Sequence, residues 1–454
     1  MPAPRITVYV PSRNYGRFLS DAIESVLRQT VDDWELMVID DGSTDDTSEV
    51  MQLYRGHPKI SLHRTEGIGL TSVCNFALKR AQGRYVIRLD GDDVFDENIL
   101  LVLGNHLDRD KSLALVFPDY YLVDPFGKVF AQERRERLYS SNHMLDLPPN
   151  GACTLVRSAV LSEVGGYRED LGAQDGFDLW SKVVTKYKCT NVNLPLFYYR
   201  RHGTNLTTNT QRILSARQRI KKDAVGEQLA SLHPIIGVIP CRRNFDFTPD
   251  VWKQQIGGKS LLERDIEVCL SSDLFDNVVV TCDNPEAEET VRRYNDPRLT
   301  FMLRDAGTTI RTASIAPTLE MICRGIDPNR TGMTILRFIQ SPFVTIDTLE
   351  EAASTLAMND ADSSHGVEEI EQAVFRRTGD GLEPINRHGS FRSDFDMIYR
   401  DVSTCTATRN KVLASGSLMG KRAVSFVVSA AQCFFIDSEQ KLKLARLMAE
   451  DLRG

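Results

Sequence analysis

The chain has 454 residues, too many for one ordinary core, and the length predicts about two to three domains. A formal net charge of -7 argues against nonspecific nucleic-acid binding, which needs a basic surface, so no nucleic-acid partner is expected. Nine cysteines with no close pair among them form neither a zinc pattern nor a disulfide framework, and no uncharged apolar run reaches the roughly 18 to 20 residues of a membrane span, so a soluble cytoplasmic chain is expected.

Taken in order, Ile6-Thr7-Val8-Tyr9-Val10 is a strand by composition, entered with no apolar signal segment, and Pro11 to Gly16 end it in turn chemistry. Phe18, Ile23, Val26 and Leu27 recur at helical spacing, and Trp34 to Ile39 form a second strand that leaves in the acidic loop Asp40 to Thr47. Ser43 or Thr44 is placed to cap the next helix, which accounts for one or two of those carboxylates and not for all. After a short strand near Ile60-Ser61-Leu62 and the turn Gly67-Ile68-Gly69, a helix runs to Ala81.

The next strand, Tyr85-Val86-Ile87-Arg88-Leu89, delivers Asp90-Gly91-Asp92-Asp93 at its exit. Clustered carboxylates repel, so they face solvent or hold a hard cation such as Mg²⁺ or Mn²⁺. Read alone, the tetrapeptide fits equally a turn in which Asp92 or Asp93 caps a helix beginning near Phe95. The alternation of strand and helix predicts a mostly parallel, doubly wound sheet with its loops gathered at one edge, where two acidic strand exits can face one ligand.

These residues carry a resemblance. Val10-Pro11-Ser12-Arg13-Asn14, Val38 to Asp45 and Leu89 to Asp93, with Gly151-Ala152, Val164-Gly165-Gly166-Tyr167, Gln174 to Trp180 and Tyr198 to His202, resemble family 2 glycosyltransferases of the GT-A fold over about residues 1–205. The resemblance implies Pro11, Asn14, Asp41, Asp90 and Arg201 as nucleotide-binding residues, Asp92, Asp93 and His202 as metal ligands with Asp92 the first choice, and Asp175 as the catalytic base. It implies Mn²⁺ or Mg²⁺ as cofactor and a nucleotide-sugar donor with a carbohydrate or glycoconjugate acceptor. Asp175 has a plain alternative as a helix N-terminal acid, since Gly176 to Trp180 open a helix. Two departures stand out: Gln174 where the family has an acid, and Cys74 where it has an arginine before Asn75. Arg200-Arg201-His202 is expected either to close over a diphosphate or to be a solvated strand end. Arg134-Arg135-Glu136-Arg137 reads as a solvated charged face.

Residues 209–232 are polar with Ile213, Leu214, Ile220, Val225 and Leu229 at helical spacing, and predict a linking helix whose Arg217, Arg219, Lys221 and Lys222 form a basic outer face. Membrane-surface contact by that face, like a homo-oligomer, is compatible with the pattern. A new strand at Pro234 to Pro240 restarts the same logic, followed by a helix near Ser260, a strand Val278 to Thr281 with Asp283 at its exit, the Met333 to Pro342 segment, a helix from Thr348 and a terminal helix from Ser438 to Leu452.

Ile239-Pro240-Cys241-Arg242, Ile256 to Leu262, Val279 to Asn284, Ser415 to Leu418 and Phe435 to Glu439 resemble the cytidylyltransferases that make CMP-linked nonulosonic acids or Kdo. The resemblance implies Arg242, Lys253, Asp283, Arg304 and Asp437 as second-domain candidates. It is degenerate. Phe245-Asp246 stand in the triphosphate loop, Phe338 replaces a cytidine-contacting Gln, and Phe435 replaces one of two metal-binding Asp. The expected architecture is therefore α/β with two Rossmann-like domains, a GT-A glycosyltransferase domain at 1–208 and a cytidylyltransferase-like domain at 233–454. The expected function is inverting, metal-dependent glycosyl transfer in surface-glycan synthesis. A bifunctional transferase and CMP-sugar-acid synthetase, and a non-catalytic binding scaffold, are the alternatives.

Overall fold

The computed structural model of the chain describes residues 3–134, 151–203, 210–244, 247–309, 313–370, 372–385 and 398–451. Arg135 to Arg137, Asn209, Phe245-Asp246 and Leu452 lie outside the described residues. The chain divides into two compact units, Met1–Ala216 with Ala373–Asp396, and Arg217–Gln372 with Met397–Gly454.

The first unit runs β1 (Ile6–Ser12), α1 (Gly16–Leu27), β2 (Trp34–Asp41), α2 (Thr47–Gln52), β3 (Ile60–Thr65), α3 (Leu70–Leu78), β4 (Tyr85–Arg88), β5 (Val94–Phe95), α4 (Ile99–Arg109), β6 (Leu113–Val123), β7 (Val129–Glu133), β8 (Leu155–Arg157), α5 (Ser158–Glu163), α6 (Asp175–Val184) and β9 (Lys188–Arg200). Its nine-stranded sheet has the order β3-β2-β1-β4-β8-β6-β9-β5, with β7 paired to β6. The apolar runs of β1 and β2 are buried almost throughout, as parallel strands covered on both faces must be. Val8, Leu19, Ile23, Ile87, Leu100 and Leu103 pack on one face and Ile39, Val73, Phe117, Leu179 and Trp180 on the other. At about 1.5–3 kcal/mol for each such side chain, these two layers supply the main favourable term.

The parallel expectation holds for β3, β2, β1 and β4. Beyond them β8 runs antiparallel to both β4 and β6, so the sheet is mixed. No stretch of the sequence carried that reversal, because an antiparallel strand buried on both faces has the same apolar composition as a parallel one. The exits of β1, β2 and β4 lie side by side at one edge, where an α/β sheet presents its ligand site.

Two capping expectations are corrected. The helix after the Asp90 turn starts at Ile99 with Asn98 at its N-cap, and Val94–Phe95 form a short strand, so neither Asp92 nor Asp93 caps it. The cap position of α2 is Asp46, not Ser43 or Thr44; Ser43 instead accepts from the Asn14 N–H at 2.9 Å.

α7 (Thr210–Ala224) crosses the boundary between the two units. The second unit continues with α8 (Gly226–Ala230), β10 (Ile235–Pro240), β11 (Gln255–Ile256), β12 (Lys259–Ser260), α9 (Leu261–Leu270), β13 (Asn277–Cys282), α10 (Ala287–Arg292), β14 (Leu299–Leu303), α11 (Ala316–Ile326), β15 (Met333–Arg337) and α12 (Ile346–Met358). Then come β16 (Ser363–Ile370), the hairpin β17 (Phe375–Thr378) and β18 (Gly381–Pro384), β19 (Ile398–Arg409), α13 (Asn410–Leu413), β20 (Ala423–Val427) and α14 (Glu439–Asp451). The hairpin belongs to a segment grouped with the first unit.

The second sheet has seven strands in the order β14-β13-β10-β15-β19-β16-β20, parallel from β14 to β15 and antiparallel at β15–β19. α9 begins in a capping box, Ser260 accepting from Glu263 N–H while the Glu263 carboxylate accepts from Ser260 N–H. The basic outer face expected on the linking helix is corrected for two of its four cations, while Arg219 is exposed. Lys221 donates to Glu351 at 2.9 Å and Thr355 at 3.0 Å, and Lys222 to Glu350 at 2.6 Å, so these two cations turn onto α12.

Candidate active site

Four chain segments meet at the exit edge of the first sheet, each for a local reason. The first is the β1 exit, where Asn14 takes the left-handed conformation at φ 60°, which asparagine tolerates well. That bend aims its side-chain oxygen at the β2 exit, where it accepts from Thr44 N–H at 2.8 Å. Pro11 precedes it as part of the buried end of β1. The second segment is the β2 exit. Asp41, 5% exposed, accepts from Thr65 Oγ1 and Ile68 N–H on one oxygen, each at 2.7 Å, and from Gly69 N–H at 2.9 Å on the other. Its carboxylate thus fixes the turn that starts α3, with acceptor capacity left on Oδ2.

The third segment is the Asp90 turn, closed by Asp93 N–H on the Asp90 carbonyl at 3.0 Å. Gly91 is required by close approach, since a Cβ there would lie 3.1 Å from both Cβ and Oγ of Ser12. The turn gathers charge. Burial, then the neighbouring Asp92 and Asp175, push Asp90 up to about 6 against the opposing pull of Arg88. Burial and the charges of Asp92 and Asp90 hold Asp93 well above the usual carboxylate range. Asp93 accepts from Arg200 N–H at 2.8 Å on Oδ1, while its buried Oδ2 has no hydrogen-bond partner among the described residues.

The fourth segment is the end of β9. His202 Nε2 lies 2.8 Å from Asp92 Oδ2, and the imidazole is wedged between Tyr15 and Phe18 with ring centroids 5.5 and 5.3 Å away. Arg200, 4% exposed, donates to the Asp92 carbonyl at 2.8 Å, the Pro125 carbonyl at 3.0 Å and the Asp21 carboxylate at 3.0 Å. Both readings offered for Arg200 are therefore corrected: it neither closes over a ligand nor lies in solvent, because its guanidinium is committed to the framework. Arg201 is exposed, with its guanidinium 5.2 Å from the Tyr199 ring centre.

Asp175 is the first residue of α6, preceded by Gln174 at φ 63°. It is an acid at a helix N-terminus that also makes a specific tertiary contact, an ion pair with buried Arg88. Arg88 in turn stands 2.9 Å from Asp90. The sequence pointed to no site role for Arg88, Tyr15 or Phe18, and to none of the framework contacts of Arg200. A charged residue ending an otherwise apolar strand was the signal available for Arg88.

Among the described residues no set of three His, Cys, Asp or Glu side chains is arranged to hold a metal. Asp92 and His202 nevertheless fit a shared ion, because adjacent ligands of an octahedral site at about 2.1 Å lie roughly 3 Å apart and such ions take their remaining ligands from phosphate and water. The unpartnered Asp93 oxygen and the raised Asp90 and Asp93 carboxyls are what a buried acidic cluster without a counter-cation displays.

In the second unit each candidate is held by the chain itself. Asp283 accepts from Arg243 N–H at 2.6 Å and Thr309 Oγ1 at 2.8 Å, and Arg242 donates to the Thr309 carbonyl at 3.5 Å. Arg304, 8% exposed, donates to the Cys241 carbonyl, so these three gather near the exits of β10 and β13. Lys253 pairs with Glu286 and stands 3.5 Å from Asp250, and Asp437 pairs with Lys441 at 2.7 Å.

Residues 7–162 match the family model for glycosyl transferase family 2, and residues 253–383 match that for cytidylyltransferase. The chondroitin synthase of Pasteurella multocida (strain Pm70) is 33% identical over 209 residues, covering 44% of this chain and 21% of its own length. The chondroitin synthase of Escherichia coli is 25% identical over 203 residues, covering 44% of this chain and 30% of its own. The chain thus spans less than a third of the length of these relatives. A crystal structure of S. aureus TarS 1–349 in complex with UDP-GlcNAc superposes with a TM-score of 0.40 at 18% identity, covering 50% of this chain and 66% of that one.

Proposed function

We propose that the chain is an inverting, metal-dependent glycosyltransferase. It moves a sugar from a nucleoside-diphosphate sugar to a hydroxyl of a glycan or glycoconjugate, in the cytoplasm and in the synthesis of a surface polysaccharide. The observation that carries this reading is the polarity of one edge: Asp92, Asp93 and His202 at one pole and Asp175 at the other, with Asp90 between them joined to Asp175 through Arg88. The names of the relatives support a polysaccharide product, nine free cysteines support a reducing compartment, and no described helix is long and apolar enough to cross a membrane.

Asp92 and His202 would hold the divalent ion, with Asp93 beside them, and the bound ion supplies charge that offsets the negative charge growing on the leaving diphosphate. Asp90 accepts from the ribose, and Asn14 and Asp41 fix the loops that frame the base. Asp175 takes the proton from the acceptor hydroxyl as that oxygen attacks the anomeric carbon opposite the leaving group, which inverts the configuration. It stands at the N-terminus of α6, with a guanidinium partner that holds the carboxylate in place. Residues 233–454 are, on this reading, a retained fold without turnover. The support is that Lys253 and Asp437 are neutralised by Glu286 and Lys441, and that phenylalanine stands at 338 and 435.

The test is release of nucleoside diphosphate from a panel of sugar nucleotides by the full chain with Mn²⁺, repeated with Asp92→Asn. Turnover lost in the variant supports the reading. A wild-type chain that releases pyrophosphate from CTP and a sugar acid, and leaves every sugar nucleotide intact, would overturn it.

A further inference from the structure

Arg88 ends β4, a strand otherwise made of Tyr85, Val86 and Ile87, and its side chain is only 5% exposed. An arginine buried at the end of a strand is strongly unfavourable unless its charge is matched. Two carboxylates match it here, with Nε in an ion-pair contact that is not a hydrogen bond. Nη1 donates to Asp175 Oδ2, Nε lies 2.9 Å from Asp90 Oδ1, and Nη2 lies 3.5 Å from Asp90 Oδ2. Nη1 also stands 3.7 Å from the buried Cys74 sulfur.

Two further features converge on the same contact. A Cβ at Gly151 would come within 3.0 Å of Arg88 Nη2 and 3.1 Å of Asp175 Oδ2, so the lack of a side chain at 151 leaves room for the pair. Gln174 takes the left-handed conformation immediately before Asp175, a strained geometry that persists only where surrounding contacts over-determine it. With Oδ2 engaged by Arg88, the other oxygen takes no hydrogen bond from a described residue. The Asp175 side chain keeps 15% of its surface exposed.

From this we infer that Arg88 is a positioning residue for glycosyl transfer: it fixes the rotamer of Asp175, presents Oδ1 to the acceptor and locks the base to the donor-side carboxylate Asp90. The inference rests on the proposed transferase reading and adds to it a residue that touches neither substrate. Among the described residues, the charged and titratable groups facing Asp175 are Arg88, Asp90, the Cys74 thiol on α3 and the Tyr167 hydroxyl, and Arg88 is the one cation in that set. Its removal leaves Asp175 with an acidic neighbour and no partner to fix its rotamer.

The experiment measures kcat and donor KM for the full chain, Arg88→Met, Arg88→Lys and Gly151→Ala, with melting temperature recorded for each. Arg88→Met is expected to lose about 100-fold in kcat with donor KM within about threefold. Arg88→Lys keeps the charge without the fork, so kcat falls by less than in Arg88→Met. Gly151→Ala lowers kcat by crowding the pair from outside, and it carries the test if Arg88→Met does not fold. A merely structural arginine would lower melting temperature while kcat of the folded variants stayed at the wild-type level. Wild-type activity with kcat unchanged in Arg88→Lys and Gly151→Ala, or unchanged in folded Arg88→Met, would overturn this inference alone. A wild-type chain without transferase activity would overturn the reading beneath it as well.

Discussion

Arg337 and Asp265 form an ion pair deep in the second unit, with side chains 1% and 2% exposed and 2.9 Å apart. Arg337 also donates to the carbonyls of Phe338, Ser341 and Thr404, so Arg337→Met strips four acceptors of their donor at once and leaves Asp265 buried without a counter-charge. Breaking a buried pair from one side costs about 3–5 kcal/mol. At about 2–4 °C per kcal/mol for a domain of this size, the second unit should melt about 6–20 °C lower.

The loss should also depend on pH. Burial, opposed by Arg337, already holds Asp265 up at about 6, above its unfolded value, so the native state binds the extra proton. The stability this contributes is present below the unfolded pKa and fades as pH rises through the folded one. Without Arg337 the folded pKa climbs further, so stability keeps falling above pH 6 at up to about 1.4 kcal/mol per pH unit, and the gap to wild type should be wider at pH 8 than at pH 5. Fluorescence of Trp252, buried in the second unit, follows the transition in a Trp34→Phe/Trp180→Phe background. Asp265→Leu combined with Arg337→Met should recover most of the loss. A shift below about 3 °C, a gap that ignores pH, or a double variant no better than the single would refute the reasoning.

Three further outcomes are expected. His202→Gln should raise the Mn²⁺ concentration for half-maximal turnover by at least about 10-fold while donor binding without metal, read by calorimetry, stays unchanged. Asp41→Asn removes a charged acceptor from Thr65, Ile68 and Gly69, so donor KM should rise about 10-fold with a smaller effect on kcat, as read from initial rates. CTP at millimolar concentration should leave the melting of the second unit unchanged, because Glu286 already pairs with Lys253; a rise of several degrees would contradict the expected loss of turnover there.

Much of the architecture was legible because buried strands and amphipathic helices carry their period in the sequence, as β1, β2, β10 and α9 do. The capping signals were less informative. Ser43, Thr44, Asp92 and Asp93 all look like cap residues, but each of their loops turns back on a neighbouring strand exit before the next helix starts. Lys221 and Lys222 read as an outer face because charge alone cannot show that Glu350 and Glu351, more than a hundred residues later, lie opposite them. Arg88, and the framework role of Arg200, were hidden for the same reason. An arginine's role depends on which carboxylates its fork reaches, and those partners come from distant segments.

Arg200 also sets the order in which the site can be made. The turn at residues 90–93 is acidic and crowded from the moment it forms, and the group that satisfies its Asp93 carboxylate and Asp92 carbonyl arrives only at the end of β9. During synthesis, more than a hundred residues must leave the ribosome between the acids and their clasp. A nascent chain stopped before residue 200 therefore carries the motif without these contacts, and on the proposed reading a donor-binding fragment extends past His202.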